Sequence, residues 1–208
     1  MKSRSLLSLS SSLMLLLLSC SALAAPGYKT IDPPVNTTVE AGQVEVLEYF
    51  WFGCPHCFAF EPVINDWAAN KPDHVTFVRE APPLNPGWMS HSQAFYAAEV
   101  LGVTDKMFEP FFNAIHVDKR RLRKPSEIAE FMGELGIDSK KFLATMESFA
   151  VQARIKQAML RASASGITGV PSMVVNGKYL TGNSIAGGHQ GIVRVLDELV
   201  ETERAAGS

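Results

Sequence analysis

Val44-Glu45-Val46-Leu47-Glu48-Tyr49-Phe50-Trp51-Phe52-Gly53-Cys54-Pro55-His56-Cys57 is the stretch on which the fold turns. Its first nine residues are β-branched, aromatic or apolar almost throughout, the pattern of a strand buried on both faces of a mostly parallel sheet. Its last four hold two thiols two residues apart, with a proline suited to a first helical turn. A helix is expected from about Cys54 to Ala69, with Pro62 inside it as a kink. Val75-Thr76-Phe77-Val78-Arg79 reads as a second strand, so 44–79 forms a β-α-β unit.

Working outward, residues 26–43 are rich in Pro and Thr and read as an extended arm or edge strand. A loop at 82–87 leads into a stretch, Met89 to Ser165, that reads as helical throughout. Gly102 is a stop, Thr104 a cap, and shorter helices fit 126–135 and 139–148. Strand character returns at Ser172-Met173-Val174-Val175 and Lys178-Tyr179-Leu180, joined by Asn176-Gly177, a strong hairpin signal. A last amphipathic helix carries Ile192, Val195, Leu196 and Leu199. The order is β-α-β, helical block, β-β-α. The α/β sheet domain is expected over 25–81 and 167–208, with an inserted helical domain over 82–166.

The N-terminus reads as a signal peptide, residues 1–24: Lys2 and Arg4, a Leu-rich core too short to span a bilayer, then Ala22-Leu23-Ala24. Cleavage after Ala24 is expected; lipidation at Cys20, in Leu17-Leu18-Ser19-Cys20, is the alternative. Cleavage leaves 184 of 208 residues and moves the formal net charge from −2 to −4. No basic excess suggests nucleic acid, and the exported chain meets an oxidising compartment.

Of three cysteines, only Cys54 and Cys57 remain after cleavage. Their bridge closes a tiny loop and restricts the unfolded chain little, so bracing fails on magnitude. At a helix start, unpaired N–H groups and the helix dipole stabilise a Cys54 thiolate, which is the reactive form. Cys54 is expected to be the exposed attacker and Cys57, about one turn on, the shielded resolver. An imidazolium at His56 favours thiolate over disulfide and makes the oxidised form more reactive. The rival of a different class is a metal-binding module on Cys54, Cys57 and His56. Zinc asks for a second ligand pair, and no second Cys pair exists. A groove binder without redox turnover would not need both thiols.

Cys54-Pro55-His56-Cys57 after Val46-Leu47-Glu48-Tyr49-Phe50 resembles the DsbA family of bacterial periplasmic disulfide oxidases, within the thioredoxin superfamily. Gly169-Val170-Pro171-Ser172-Met173-Val174-Val175-Asn176-Gly177-Lys178-Tyr179 resembles that family's proline loop and hairpin, and the helical block falls where the family has one. The likeness runs from about Tyr28 to Glu203. It implies a thioredoxin-like fold with an inserted all-helical domain, and a thiol:disulfide oxidoreductase needing no cofactor beyond the Cys54–Cys57 disulfide. The family's low-pKa cysteine and strongly oxidising disulfide come with the resemblance. So do the partners: reduced exported polypeptides and a DsbB-type membrane quinone-linked reoxidase, with the protein itself a monomer. A disulfide isomerase or reductase of the same fold is the alternative, although isomerases in this group usually carry a dimerisation domain.

The resemblance also implies a cis bond before Pro171. The backbone of Val170 is then left free to pair with an extended substrate, a form of β-augmentation. Glu48 matches a family position where an acidic residue assists proton movement. Independently, a carboxylate midway along an apolar strand needs a partner, and Arg79 on the next strand is the candidate. A structural ion pair or a solvent-facing strand end are the alternatives for Glu48. Trp88 and Met89 are read as core or as groove lining, the cluster Lys119–Lys124 as a solvated face or a membrane-partner contact, and His74, His91, His116 and His189 as non-catalytic.

Overall fold

The structure, a computed structural model, describes residues 27–206; the segment expected to be cleaved, with Cys20, lies outside the described residues. Strand β2 (Val44–Tyr49) is buried at all six positions, as its two-sided pattern demands. It sits inside a five-stranded sheet because both neighbours pair with it. Strand β3 (Val75–Glu80) runs parallel on one side and β4 (Ser172–Val175) antiparallel on the other. Strand β5 (Tyr179–Gly182) and the two-residue edge strand β1 (Lys29–Thr30) complete the order β1-β5-β4-β2-β3. The N-terminal arm is therefore a strand for two residues only. Beyond them it is tied to the hairpin by Ile31 N–H to Lys178 O (2.7 Å) and Val35 N–H to Gly177 O (2.9 Å). Asn176 (φ 48°) and Gly177 (φ 67°) supply the two positive φ values a tight hairpin needs to match the twist of its strands.

The period-2 alternation of β2 sorts its side chains between two layers. Val44 and Val46 pack with Phe60, Ile64 and Trp67 of α1 (Pro55–Asn70) and with Ile192 and Leu196 of α8 (His189–Ala206). Leu47 and Tyr49 face the other way, onto Ile31, Val174 and Leu180, and onto Ala162 of α6 (Phe149–Ala164). Glu48 thus points toward α1 and Glu45 toward α6. Each meets an arginine there, Arg79 from β3 and Arg161 from α6.

Between β3 and β4 come α2 (Met89–Leu101), α3 (Thr104–His116), α4 (Pro125–Glu134), α5 (Ser139–Met146) and α6. The stretch is not helical throughout. Residues 117–124 form a loop in which Lys119 (φ 60°) and Leu122 (φ 39°) take backbone angles no helix holds, and Leu122 is buried as its anchor. Gly102 (φ 66°) ends α2 as expected, but Thr104 begins α3 rather than capping it; the cap is Val103, with no side-chain bond. The four-residue α7 (Asn183–Ala186) is too short to show a period. Phe50 and Phe52, leaving β2, drive into the helices. The Phe52 ring lies 4.7 Å from Phe111 and 4.9 Å from Phe112, centroid to centroid. Cys54 and Cys57 belong to this same core, which sets the thiols where strand end, helix start and helical block meet.

Candidate active site

Cys54 is the N-cap of α1 and Pro55 its first residue, as the sequence leads one to expect. Both cysteines are free thiols. Cys54 keeps 8% of its surface and Cys57 none, so Cys54 is less open than expected although it remains the more exposed of the two. Cys54 Sγ donates to the carbonyl of Val170 at 3.5 Å. The Val170–Pro171 bond is cis, and that carbonyl is not free in the dithiol form: the Cys54 sulfur occupies it. Cys54 is pulled down to about 6, first by a hydrogen bond from the Cys57 thiol, then by backbone N–H groups of Cys57 and His56, with the charge of exposed His56 last; burial opposes them. Burial pushes Cys57 far above the ordinary thiol range, and its bond to Cys54 adds to this.

Beneath the thiols lies a charged cluster. Glu48, fully buried, accepts from Arg79 Nε at 2.8 Å across the parallel register Glu48↔Arg79, so the counter-ion read from the sequence is in place. Its carboxyl is raised, because burial outweighs the guanidinium. Arg79 Nη2 also reaches Asn65 Oδ1 (2.8 Å) and Glu61 Oε2 (3.3 Å). Burial, followed by the charge of Glu48, pushes Glu61 up to about 8. Two carboxylates sharing one guanidinium in a poorly hydrated site cannot both ionise cheaply. Glu61 is the residue sequence reading misses. The available signal is its spacing: it falls four after Cys57 on α1, on the same helical face, under the strand that carries Glu48.

The rim is aromatic. Trp51 stacks on Trp88 at 4.4 Å with planes 6° apart, which makes Trp88 a packing partner of the strand exit. A side chain at Gly53 would run into the Trp51 ring at 2.3 Å, so that stack demands glycine before Cys54. His116 Nε2 lies 2.7 Å from Phe52 O and its ring stacks on Phe58 at 4.8 Å. His91 Nε2 lies 2.9 Å from Leu122 O, and burial lowers its pKa to about 4. Both fill structural places. In the 119–124 cluster, Arg120 forks onto Glu134 at 2.6 and 2.8 Å while most of its neighbours are exposed, as a solvated loop would be. A cleft of about 340 Å3, with His56, Val170 and Pro171 on its wall, opens between residues 166–172 and 180–185.

The model of the DSBA-like thioredoxin domain matches residues 45–187. The thiol:disulfide interchange protein DsbA of Pseudomonas aeruginosa is 42% identical over 184 residues, 88% of this chain and 86% of that protein. That of Azotobacter vinelandii is 43% identical over 182 residues, 86% and 85% of the two chains. Among solved structures, P. aeruginosa DsbA superposes with a TM-score of 0.82 at 41% identity, covering 86% of this chain and 93% of its own. The oxidoreductase DsbA of Xylella fastidiosa gives 0.81 at 30%, covering 86% and 96%.

Proposed function

This chain belongs to the DSBA-like thioredoxin-domain family, and from that premise we propose that this thiol:disulfide oxidoreductase donates its Cys54–Cys57 disulfide to newly exported polypeptides as they fold. The observation that carries the reading is the split between the two thiols: Cys54 held near 6, Cys57 held far above its usual range, one turn apart at a helix start.

In the first step a client thiolate attacks Cys54 Sγ. A client–Cys54 disulfide forms, the Cys54–Cys57 bond breaks, and Cys57 leaves with the electron pair and takes up a proton. In the second step the client's other thiolate attacks the client sulfur of the mixed disulfide, and Cys54 departs as a thiolate. A low-pKa leaving group departs faster, so the same stabilisation that favours the Cys54 thiolate drives release of oxidised client. His56 adds a positive charge beside Cys54, and Glu48, its carboxyl raised by burial, supplies the proton Cys57 needs. Val170 and Pro171 seat the client: in the oxidised form an extended segment pairs with Val170, its backbone N–H donating to the Val170 carbonyl that the Cys54 thiol meets in the dithiol form. The redox-active disulfide is the only cofactor this scheme uses. A DsbB-type membrane quinone-linked reoxidase takes the electron pair back and restores the disulfide. The protein works as a periplasmic monomer released by cleavage after Ala24. Its sheet domain spans 25–81 and 167–208, and the helical domain 82–166 is inserted in it.

The test is transfer itself. The oxidised protein, mixed with a reduced two-cysteine peptide, is expected to form one peptide disulfide per molecule, and Cys54→Ser to form none. No transfer, or unchanged transfer by the variant, would contradict the reading.

A further inference from the structure

The cleft of about 340 Å3 beside Val170 and Pro171 is one-sided in its charge. Its volume falls within the roughly 300–1,000 Å3 that ligand pockets occupy. Lys29 of β1 and His56 of α1 line it, and no aspartate or glutamate does. Both side chains belong to exposed residues, and Lys29 makes no ion pair among the described residues. Two of the lining hydroxyls are already committed: Ser172 donates to the Gly169 carbonyl (2.7 Å) and Thr181 to that of Gly27 (2.6 Å). Thr168 and Ser184 are exposed, and their hydroxyls make no such bond among the described residues. A further nitrogen donor stands near His56. His189 opens α8, and its ring lies 5.0 Å from that of Phe60, which follows His56 by about one turn on the same face of α1. Besides burial, the charge of His56 is what acts on His189. Donors thus gather on this side of Cys54, and the cleft lining offers them no carboxylate.

We propose, on the disulfide-donor reading above, that this cleft selects clients carrying an aspartate or glutamate two residues from the reacting cysteine, the carboxylate taken up in the cleft in the field of Lys29 and His56. The alternation of an extended chain supplies the spacing. A client paired with Val170 turns successive side chains to opposite sides. With its cysteine turned toward Cys54, the residues two before and two after it turn toward the protein as well, and one of them faces the cleft wall at Val170 and Pro171. A neighbouring carboxylate holds a client thiol in its protonated form, because it disfavours a second negative charge. Only the thiolate attacks. Cations at the cleft offset that carboxylate, so an acidic client recovers its thiolate as it approaches Cys54 Sγ. The exchange itself is unchanged: the client–Cys54 bond forms, the Cys54–Cys57 bond breaks, and Cys57 leaves with the electron pair. A basic residue in the same position is repelled. Lys29 is exposed, so the effect has the size of a surface ion pair, a few-fold in rate, and salt screens it.

The experiment compares single-thiol peptides, acetylated and amidated at their ends, that differ in one residue. One set carries glutamate, glutamine or lysine two residues before the cysteine, and a second set carries them two residues after it. Oxidised protein is mixed with each, and the initial rate of mixed-disulfide formation is read by acid quench and mass spectrometry. Each rate is divided by that of the same peptide with 2-hydroxyethyl disulfide, which removes the difference in thiol acidity. In one of the sets the glutamate peptide is expected to react about three- to fivefold faster than the glutamine peptide in low salt, and the lysine peptide slower than both. The responding set tells which side of the client cysteine meets the cleft. The preference is expected to fall toward one in about 0.5 M sodium chloride. Lys29→Gln is expected to cut it at least by half. Equal normalised rates for glutamate and glutamine in both sets would overturn the proposal. So would a preference that salt leaves intact, or one that Lys29→Gln leaves intact. A mixed disulfide with none of the peptides would instead contradict the disulfide-donor reading itself. The peptide and salt comparisons use the unaltered protein and stand even if Lys29→Gln folds poorly.

Discussion

At the scale of the residue, the chemistry rests on two thiols made unlike by their surroundings. Alkylation of the reduced protein with iodoacetamide reads this directly: Cys54 is expected to react with a midpoint near pH 6, and Cys57 not at all while the fold holds. A midpoint near the ordinary thiol value of 9 would show that the hydrogen bond from Cys57 and the helix-start N–H groups do not act as described. Glu48→Gln separates the proton role from the structural one. It is expected to slow mixed-disulfide turnover by about 100-fold, the lower end of what a positioned acid or base contributes, and to leave the alkylation midpoint of Cys54 near 6. Loss of stability with normal turnover would make Glu48 a structural partner of Arg79 only. The thiols, His56 and the Glu48–Arg79 pair are legible in the sequence because each breaks a local pattern: two cysteines at a helix start, a carboxylate in an apolar strand. Glu61 breaks none. A glutamate on a helix is ordinary until the packing shows which face is buried.

At the scale of the element, the hairpin holds both the proline loop and the N-terminal arm. A Cβ on Gly177 would meet the Val35 carbonyl oxygen at 1.9 Å, at a φ of 67° that side chains disfavour. Gly177→Ala is therefore expected to cost roughly 1–3 kcal/mol, measured by urea unfolding, a strain of the size expected for a residue forced into a sparsely populated backbone region. An unchanged midpoint would mean that the arm does not press on the turn. The strands, the active-site helix and the hairpin follow from period and turn residues, which act over a few positions. The loop at 117–124 does not, because what sets it is a distant partner: Leu122 is buried and its carbonyl is met by His91. Thr104 shows the same limit. The residue type suits a cap, but α3 begins one residue earlier than that reading allows.

At the scale of the whole molecule, the order of elements read from the sequence gives a sheet with helices intervening between β3 and β4. How the parts share a core is set by Phe50 and Phe52, whose aromatic character is equally suited to a strand interior. Redox state and stability are linked through Cys54. Its folded-state pKa of about 6 lies below the ordinary value near 9, so it stabilises the reduced fold fully above 9 and loses that contribution as pH falls toward 6. The oxidised fold has no such proton. Reduced protein is thus expected to gain stability over oxidised protein as pH rises from 6 to 9, by at most about 4 kcal/mol at roughly 1.4 kcal/mol per pKa unit. A gap independent of pH in paired urea titrations would rule this out. The most direct test of the central claim is to catch the intermediate. Oxidised protein is mixed with a single-thiol peptide, quenched in acid within milliseconds to seconds, and the adduct mapped by mass spectrometry. The account predicts a peptide disulfide on Cys54 alone; an adduct on Cys57, or none on either cysteine, would contradict it.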